Sequence, residues 1–156
     1  MIGSLLAVDV GLRTGLASFG AEGRLLWYRS QNFGSATRLR SAVPGILRGL
    51  PDLRWLVLEG GGNLAEIWRR SAERVGIQVE RIGAERWRAE LLFPREQRTR
   101  RQAKTHADEF ARRVIEWSGA PRPTSLRHDA AEAIVIGFWG VLTVGLLDAV
   151  PMELRR

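Results

Sequence analysis

The stretch SLLAVDVGLRTGLASF at residues 4–19 decides the fold. Residues 4–9 are apolar up to Asp9, which predicts a buried strand that ends in a carboxylate. GLRTG reads as a tight turn, and residues 15–20 form a second strand. EG at 22–23 marks the next hairpin turn, before a third strand at 24–32. The chain therefore begins with an antiparallel meander of three strands.

Strands and helices alternate along the rest of the chain. We predict strands at 53–58 and 77–82, and helices at 36–49, 64–75, 84–92, 102–118 and 127–140. Pro44 is expected to kink or reset the first helix, and Asn63 to cap the second. Three antiparallel strands followed by this alternation predict an α/β fold, a five-stranded mixed sheet flanked by helices.

Length and composition indicate one cytoplasmic domain. The 156 residues suffice for a single domain spanning 1–156 and are too few for two ordinary ones. The chain has no cysteine, which excludes disulfides and thiolate zinc sites. Its start lacks the basic leader of a signal peptide, and the apolar stretch 133–150 is interrupted by three glycines and Asp148. We therefore expect a soluble protein with no membrane partner.

The charge of the chain predicts an acidic partner. There are 24 basic and 17 acidic residues, a net charge of +7. Lys104 is the single lysine, and the other basic residues are arginines, whose planar fork suits phosphate. A GC-rich genome explains the excess of arginine over lysine equally well, but not the sign of the charge. A basic surface is what a protein that acts on nucleic acid needs.

Four carboxylates in three distant places suggest the chemistry. Asp9 and Glu59 each end an apolar strand, while Asp129 and Glu132 lie three residues apart on one face of a helix. If the two strands are parallel neighbours, both of their acids emerge at the same edge of the sheet. Four clustered carboxylates repel one another unless cations hold them, and oxygen donors suit Mg²⁺ or Mn²⁺. Paired metals can clamp both oxygens of a phosphodiester displacement, so the sequence predicts a metal-dependent nuclease.

The order of these motifs resembles the RNase H-like superfamily, and within it the RuvC-type Holliday-junction resolvases. The resemblance covers roughly residues 4–140 and rests on DVGLRTG, the acid after LVL, Lys104 and HDAAEA. It implies a homodimer that resolves four-way DNA junctions by paired symmetric nicks, using two divalent metals per active site. The implied catalytic metal ligands are Asp9, Glu59, Asp129 and Glu132, with Lys104 as a catalytic basic residue near the scissile phosphate. That function implies a cytoplasmic, nucleoid-associated protein, located in the host cytoplasm if a phage encodes it.

Further residues are expected to contact DNA or a second copy of the chain. The predicted DNA-binding residues are Arg13, Thr14, Arg95, Arg98, Arg100, Arg101 and Lys104, most of them in or beside the basic connector FPREQRTRR. A solvated charged loop is the alternative interpretation of that connector. The helix after Glu59 usually contributes to the family's dimer interface. The residues implied there are Asn63, Ile67, Trp68 and Ser71.

The chain also departs from the family pattern. Val10 stands where proline is frequent, and the turn to Thr14 is one residue shorter. GGGN at 60–63 stands where the family often has an aromatic residue that wedges into the junction, so the wedge is either missing or supplied elsewhere, with Trp68 as the candidate. Glu132 stands where many members have aspartate. These departures indicate a divergent branch, for which a phage origin is one explanation.

Other functions remain open at this stage. A YqgF-type nuclease that acts on RNA in ribosomal maturation shares the DxG start, although the two acids of HDAAEA are nearer the resolvase pattern. A non-catalytic junction-binding protein is the second alternative, against which stands the presence of all four acids. A phosphate loop of the sugar-kinase or actin type would need two such domains. His128 could assist a metal, protonate a leaving group, or simply cap its helix.

Overall fold

The computed structural model describes residues 3–83, 85–86 and 100–155, with the backbone alone for 100–104. The strands are β1 (Ser4–Asp9), β2 (Arg13–Phe19), β3 (Leu25–Asn32), β4 (Leu53–Glu59) and β5 (Gln78–Ile82). The helices are α1 (Ala36–Arg48), α2 (Gly62–Arg74), α3 (Arg100–Ser118) and α4 (His128–Thr143). A short 3-10 helix, Met152–Leu154, follows them.

The five strands form one mixed sheet in the order β3-β2-β1-β4-β5. β1 and β3 each pair antiparallel with β2, whereas β4 pairs parallel with both β1 and β5. The predicted α/β fold with a five-stranded mixed sheet is confirmed. Asp9 and Glu59 are partners in the parallel β1–β4 ladder, so the carboxyl ends of the two strands meet at one edge.

The sheet separates two hydrophobic cores. Leu6 and Val8 of β1 face a core shared with α1 and α2, while Leu5 and Ala7 face a core shared with α3 and α4. Successive side chains of a strand point to opposite faces. Asp9 continues the series of Leu5 and Ala7, and therefore faces the side of the sheet on which α4 lies.

Helix α4 packs closely against the sheet at two glycines. All of its residues from 130 to 141 are buried. A Cβ atom on Gly137 would lie 2.2 Å from the ring of Phe19, and one on Gly140 would lie 2.8 Å from the side chain of Val57. Since any larger residue at these positions would separate the helix from the sheet, the two glycines permit this close contact. The first turn of α4 is thereby brought to the edge of the sheet where β1 and β4 end.

Two local predictions concern the first two helices. Helix α1 is one continuous helix through Pro44, so the proline does not reset it, and Leu39, Val43 and Leu47 on both sides of the proline are buried. Gly61 is the N-cap of α2, in place of Asn63, and no side chain caps that helix.

Two further predictions concern the start of α3 and the segment before it. α3 begins at Arg100, so Arg100 and Arg101 belong to a helix and not to the preceding connector. The helix predicted at 84–92 falls largely outside the described residues. Within the ranges that the structure describes, no helix combines the length and the apolar character needed to cross a membrane.

Candidate active site

Four residues on adjacent strands form one row across the edge of the sheet. Glu59 pairs with Asp9, Asp9 with Gly15, and Gly15 with Ser30. Paired residues of neighbouring strands point to the same face, here the face covered by α4, and adjacent strands are about 4.8 Å apart. We call these four residues the edge row. It places two of the predicted acids side by side, with a glycine and a hydroxyl beyond them.

The electrostatics of Asp9 connect all four predicted acids. Burial raises the pKa of Asp9 to about 8, and a hydrogen bond with Glu59 adds to the effect. The negative charges of Glu59, Glu132 and Asp129 raise this pKa further. A carboxyl group responds in this way only to charges nearby in a poorly solvated place. The three distant segments of the chain therefore bring their carboxylates into one site.

Asp129 lies directly over the edge row. A Cβ atom on Gly15 would lie 1.8 Å from the carbonyl oxygen of Asp129, so the helix can occupy this position only above a glycine. The Ser30 hydroxyl donates a hydrogen bond of 2.8 Å to Oδ2 of Asp129. The backbone N–H of Ala130 donates to Oδ1 at 3.2 Å. Both oxygens of this carboxylate are therefore held, and Ser30 is a contributor that the sequence analysis did not identify.

Glu132 lies one helical turn after Asp129 and is only 5% exposed. Its Oε1 is 3.1 Å from Nε2 of His128, which is itself largely exposed. His128 is thus the partner of a buried acid, in addition to starting the helix. A buried carboxylate needs such a partner because the cost of removing its charge from water is high.

The donor set suits a hard divalent cation, although its side chains do not yet converge on one point. Among the described residues, no group of three or more His, Asp or Glu side chains is arranged to hold a metal ion. Instead Asp9 bonds Glu59, Asp129 bonds Ser30, and Glu132 contacts His128. All four acids offer oxygen atoms. Burial is the main reason why the pKa of Asp9 is raised, and the smaller contribution from the neighbouring negative charges is a repulsion that a cation would relieve.

Two turns lie directly after the acids of the edge row, one at Gly60 after β4 and one between β1 and β2. Gly60 has a φ of +116°, which turns the chain away directly after Glu59, and a Cβ there would lie 3.1 Å from Val10. Thr14 is completely buried, and its hydroxyl donates a hydrogen bond of 2.7 Å to the carbonyl oxygen of Gly11. The prediction that Thr14 contacts DNA is therefore wrong, because its side chain closes the β1–β2 turn from the inside.

An open groove of about 610 Å³ runs beside Asp129. Its lining residues are Arg13, Ser125, Arg127, His128 and Asp129. Arg13 was predicted to contact DNA, and the structure places it next to the acids. Arg127 and Ser125 were missed, since their loop offered no motif and only the docking of α4 brings them to the site.

The remaining predicted DNA contacts lie on or before α3. Lys104, Arg100 and Arg101 belong to the first turns of that helix, where the backbone alone is described. Arg95 and Arg98 lie outside the described residues. The roles of all five residues stay predictions.

The predicted dimer residues divide into two groups. Asn63, Ile67 and Ser71 line a groove of about 210 Å³ between α1 and α2. Trp68 has no exposed surface and packs in the core between these helices and the sheet. Its predicted roles at a dimer surface and as a junction wedge are therefore both wrong.

A five-stranded mixed sheet flanked by helices, with carboxylates at the ends of β1 and β4, defines an α/β domain of the RNase H-like fold. The chain is similar in structure to the RuvC protein of T. thermophilus in complex with a Holliday-junction substrate, with a TM-score of 0.63, 17% sequence identity, and coverage of 92% of this chain and 97% of that chain. It is also similar to Ydc2, the yeast mitochondrial Holliday-junction resolvase, with a TM-score of 0.59, 9% identity, and coverage of 93% and 82%. The predicted resemblance to RuvC-type resolvases is thereby confirmed for the fold. No protein-family model matches the chain, and no curated protein matches it in sequence.

Proposed function

We propose that this protein is a divalent-metal-dependent endonuclease that resolves four-way DNA junctions by paired symmetric nicks. The observation that carries the proposal is the meeting of Asp9, Glu59, Asp129 and Glu132 at one edge of the sheet. The fold that holds them is shared with two Holliday-junction resolvases. The net charge of +7 favours a nucleic-acid substrate.

The four acids would hold Mg²⁺ or Mn²⁺, two ions per active site. When bound, the metals would activate the attacking water and stabilise the leaving 3′ oxygen. Asp9 lies in the edge row between Glu59 and the position covered by Asp129, so it is the acid best placed to be shared. With a pKa near 8, Asp9 must lose a proton to bind a cation, and metal affinity should rise with pH.

The groove beside Asp129 is the proposed path of the DNA strand. Arg13 and Arg127 both line it, and two guanidinium groups next to an acidic centre can bind the phosphates on either side of the cleaved bond. Lys104, with Arg95, Arg98, Arg100 and Arg101, is proposed to extend this contact along α3 and the segment before it.

Arg127→Ala should weaken junction binding in chelator and lower the slope of log affinity against log salt by about 0.9, the loss of one phosphate contact. Arg13→Ala should behave in the same way. Arg122→Ala is the matched control, since Arg122 lies in the same loop but lines a different depression with Arg112 and Glu116. A salt slope that Arg127→Ala leaves unchanged would place the strand elsewhere.

The decisive experiment compares a labelled four-way junction with linear duplex and structured RNA. Each substrate is incubated with the protein in Mg²⁺, in Mn²⁺ and in chelator. Paired symmetric nicks in the junction alone, lost in chelator, are the expected result. Cleavage of RNA alone would indicate a nuclease of ribosomal maturation, and junction binding without cleavage in either metal would indicate a recognition protein.

We further propose a homodimer, because paired nicks in opposed strands need two active sites. The groove between α1 and α2 is its proposed interface, lined by Asn63, Ile67 and Ser71. Ser71→Arg should convert the dimer to a monomer in sedimentation equilibrium, since a long charged side chain would fill that groove. Ala149→Arg, which also introduces an arginine but at an exposed residue after α4, should leave the dimer intact. A wild-type chain that stays monomeric at micromolar concentration with junction DNA would contradict the dimer.

A further inference from the structure

We infer that Ser30 is a positioning residue that orients the carboxylate of Asp129 for metal binding. The inference rests on the proposed function, because it assigns Ser30 a part in the same site. Ser30 is the fourth member of the edge row, two strands away from Asp9 and on the same face of the sheet.

The hydrogen bond of 2.8 Å from the Ser30 hydroxyl determines how the Asp129 carboxylate is turned. Ser30 holds Oδ2, and the N–H of Ala130 holds Oδ1. With a donor on each oxygen, the carboxylate plane cannot rotate freely about its last bond. An ionised carboxylate has about four lone-pair positions, so two donors leave room for a cation. Asp129 can therefore keep both bonds while it binds a metal.

A purely structural role is the competing explanation, because β3 is the edge strand of the sheet and needs anchoring. Among the described residues, three other hydrogen bonds anchor β3 and the residue before it to the end of α3 and the loop that follows. The N–H of Leu25 donates to the Ser118 hydroxyl at 3.0 Å, the hydroxyl of Tyr28 donates to the carbonyl of Pro121, and the guanidinium of Arg24 donates to the carbonyl of Trp117.

The Ser30 bond differs from these three in its partner. The other anchors end on a backbone carbonyl or a serine, whereas the Ser30 hydroxyl ends on one of the four acids. Removing a group that hydrogen-bonds to a metal ligand typically lowers metal affinity by 10- to 100-fold. Loss of the Ser30 hydroxyl should therefore weaken metal binding more than it weakens the fold.

The test measures Mn²⁺ binding to the DNA-free protein by electron paramagnetic resonance, together with thermal melting. Ser30→Ala should weaken Mn²⁺ binding by about 10-fold. Ser30→Thr, which keeps the hydroxyl, should restore the affinity. Tyr28→Phe is the matched control, since it removes an anchor of the same strand that touches no acid. It should lower the melting temperature and leave the Mn²⁺ affinity unchanged.

Junction cleavage provides a second measurement. The Mn²⁺ concentration for half-maximal cleavage should rise by the same factor in Ser30→Ala, while junction binding in chelator stays at the wild-type level. If Ser30→Ala does not fold, Ser30→Val replaces it, because valine suits a strand and has nearly the shape of the threonine in Ser30→Thr but no hydroxyl donor.

Two outcomes would overturn the inference alone. Unchanged Mn²⁺ affinity in a folded Ser30→Ala variant is the first, and an equal loss of affinity in Tyr28→Phe is the second, since it would make Ser30 one anchor among several. A wild-type protein that neither binds Mn²⁺ nor cleaves any substrate would instead overturn the proposed function, and the role of Ser30 with it.

Discussion

Asp9→Asn is expected to abolish junction cleavage and, at the same time, to make the metal-free protein more stable. Cleavage should fall because, under the proposed function, Asp9 helps to hold the metals. The Lewis-acid stabilisation that they would supply, worth several kcal/mol, corresponds to roughly 10³-fold in rate. Junction binding in chelator should persist, since the change removes no cationic contact. Cleavage at the wild-type rate would exclude Asp9 as a metal ligand.

The gain in stability follows from the pKa of Asp9. Folding raises this pKa from 3.8 to about 8, so the folded protein holds a proton that the unfolded chain releases. Between these two pKa values the free energy of unfolding of the wild type falls as pH rises, because folding keeps Asp9 protonated while the unfolded chain releases the proton. Below the pKa of the unfolded chain both states are protonated, and Asp9 no longer lowers the stability. Asparagine has no proton to lose and avoids that cost.

Thermal melts in chelator between pH 5 and pH 9 would measure the effect. Because Asp9 is partly exposed, we expect a gain on the order of 1–3 kcal/mol near pH 8, or about 3–10 °C, shrinking towards pH 5. Mn²⁺ should raise the melting temperature of the wild type and not that of the variant. Asp52→Asn is the control, because Asp52 is exposed at the opposite edge of the sheet. A destabilised Asp9→Asn protein at pH 8 would contradict the electrostatic account.

Gly15→Ala is expected to damage both the fold and the site with the addition of one methyl group. The new Cβ would lie 1.8 Å from the Asp129 carbonyl oxygen and 3.1 Å from the Ala130 nitrogen. Both are backbone atoms, so no side chain can rotate away, and α4 itself must move. Gly15 is not among the glycines with positive φ, which makes the effect a clash and not a strained backbone.

The expected cost is roughly 3 kcal/mol in urea unfolding, with loss of most cleavage at temperatures where the variant is folded. The displaced helix would carry Asp129 and Glu132 away from Asp9 and Ser30. Gly45→Ala is the matched control, because a Cβ there would meet only the Arg48 side chain at 3.9 Å. Wild-type cleavage by a folded Gly15→Ala protein would show that the close contact of α4 is not needed.

The fold could be predicted largely because its signals are local. Apolar runs that end at Asp9 and Glu59 mark two strands and the edge at which they end. The meander is predicted from turn residues between short strands, and HDAAEA predicts an apolar helix that carries two acids. Parallel pairing of β1 with β4 follows once a helix is placed between β3 and β4.

What escaped prediction depends on register and on docking between distant elements. Ser30 is one polar residue of a strand, and its place in the edge row depends on pairing that shifts between Ser18 and Phe19. Arg127 joins the site only through the position of α4. Trp68 is different, because Ala65, Trp68 and Ala72 already follow the spacing of a buried helical stripe. That spacing is visible in the sequence and indicates that Trp68 is buried, which is incompatible with a role as a junction wedge.

The four acids lie on distant segments of the chain, so they become available at different times during synthesis. The meander contributes Asp9 through contacts between neighbouring segments, which form early. Glu59 joins when β4 is added to β1. Asp129 and Glu132 lie on α4, which follows all five described strands in the chain and is therefore synthesised after them. Under the proposed function, a growing chain that still lacks α4 would hold only two of the four acids and would not yet cleave nucleic acid.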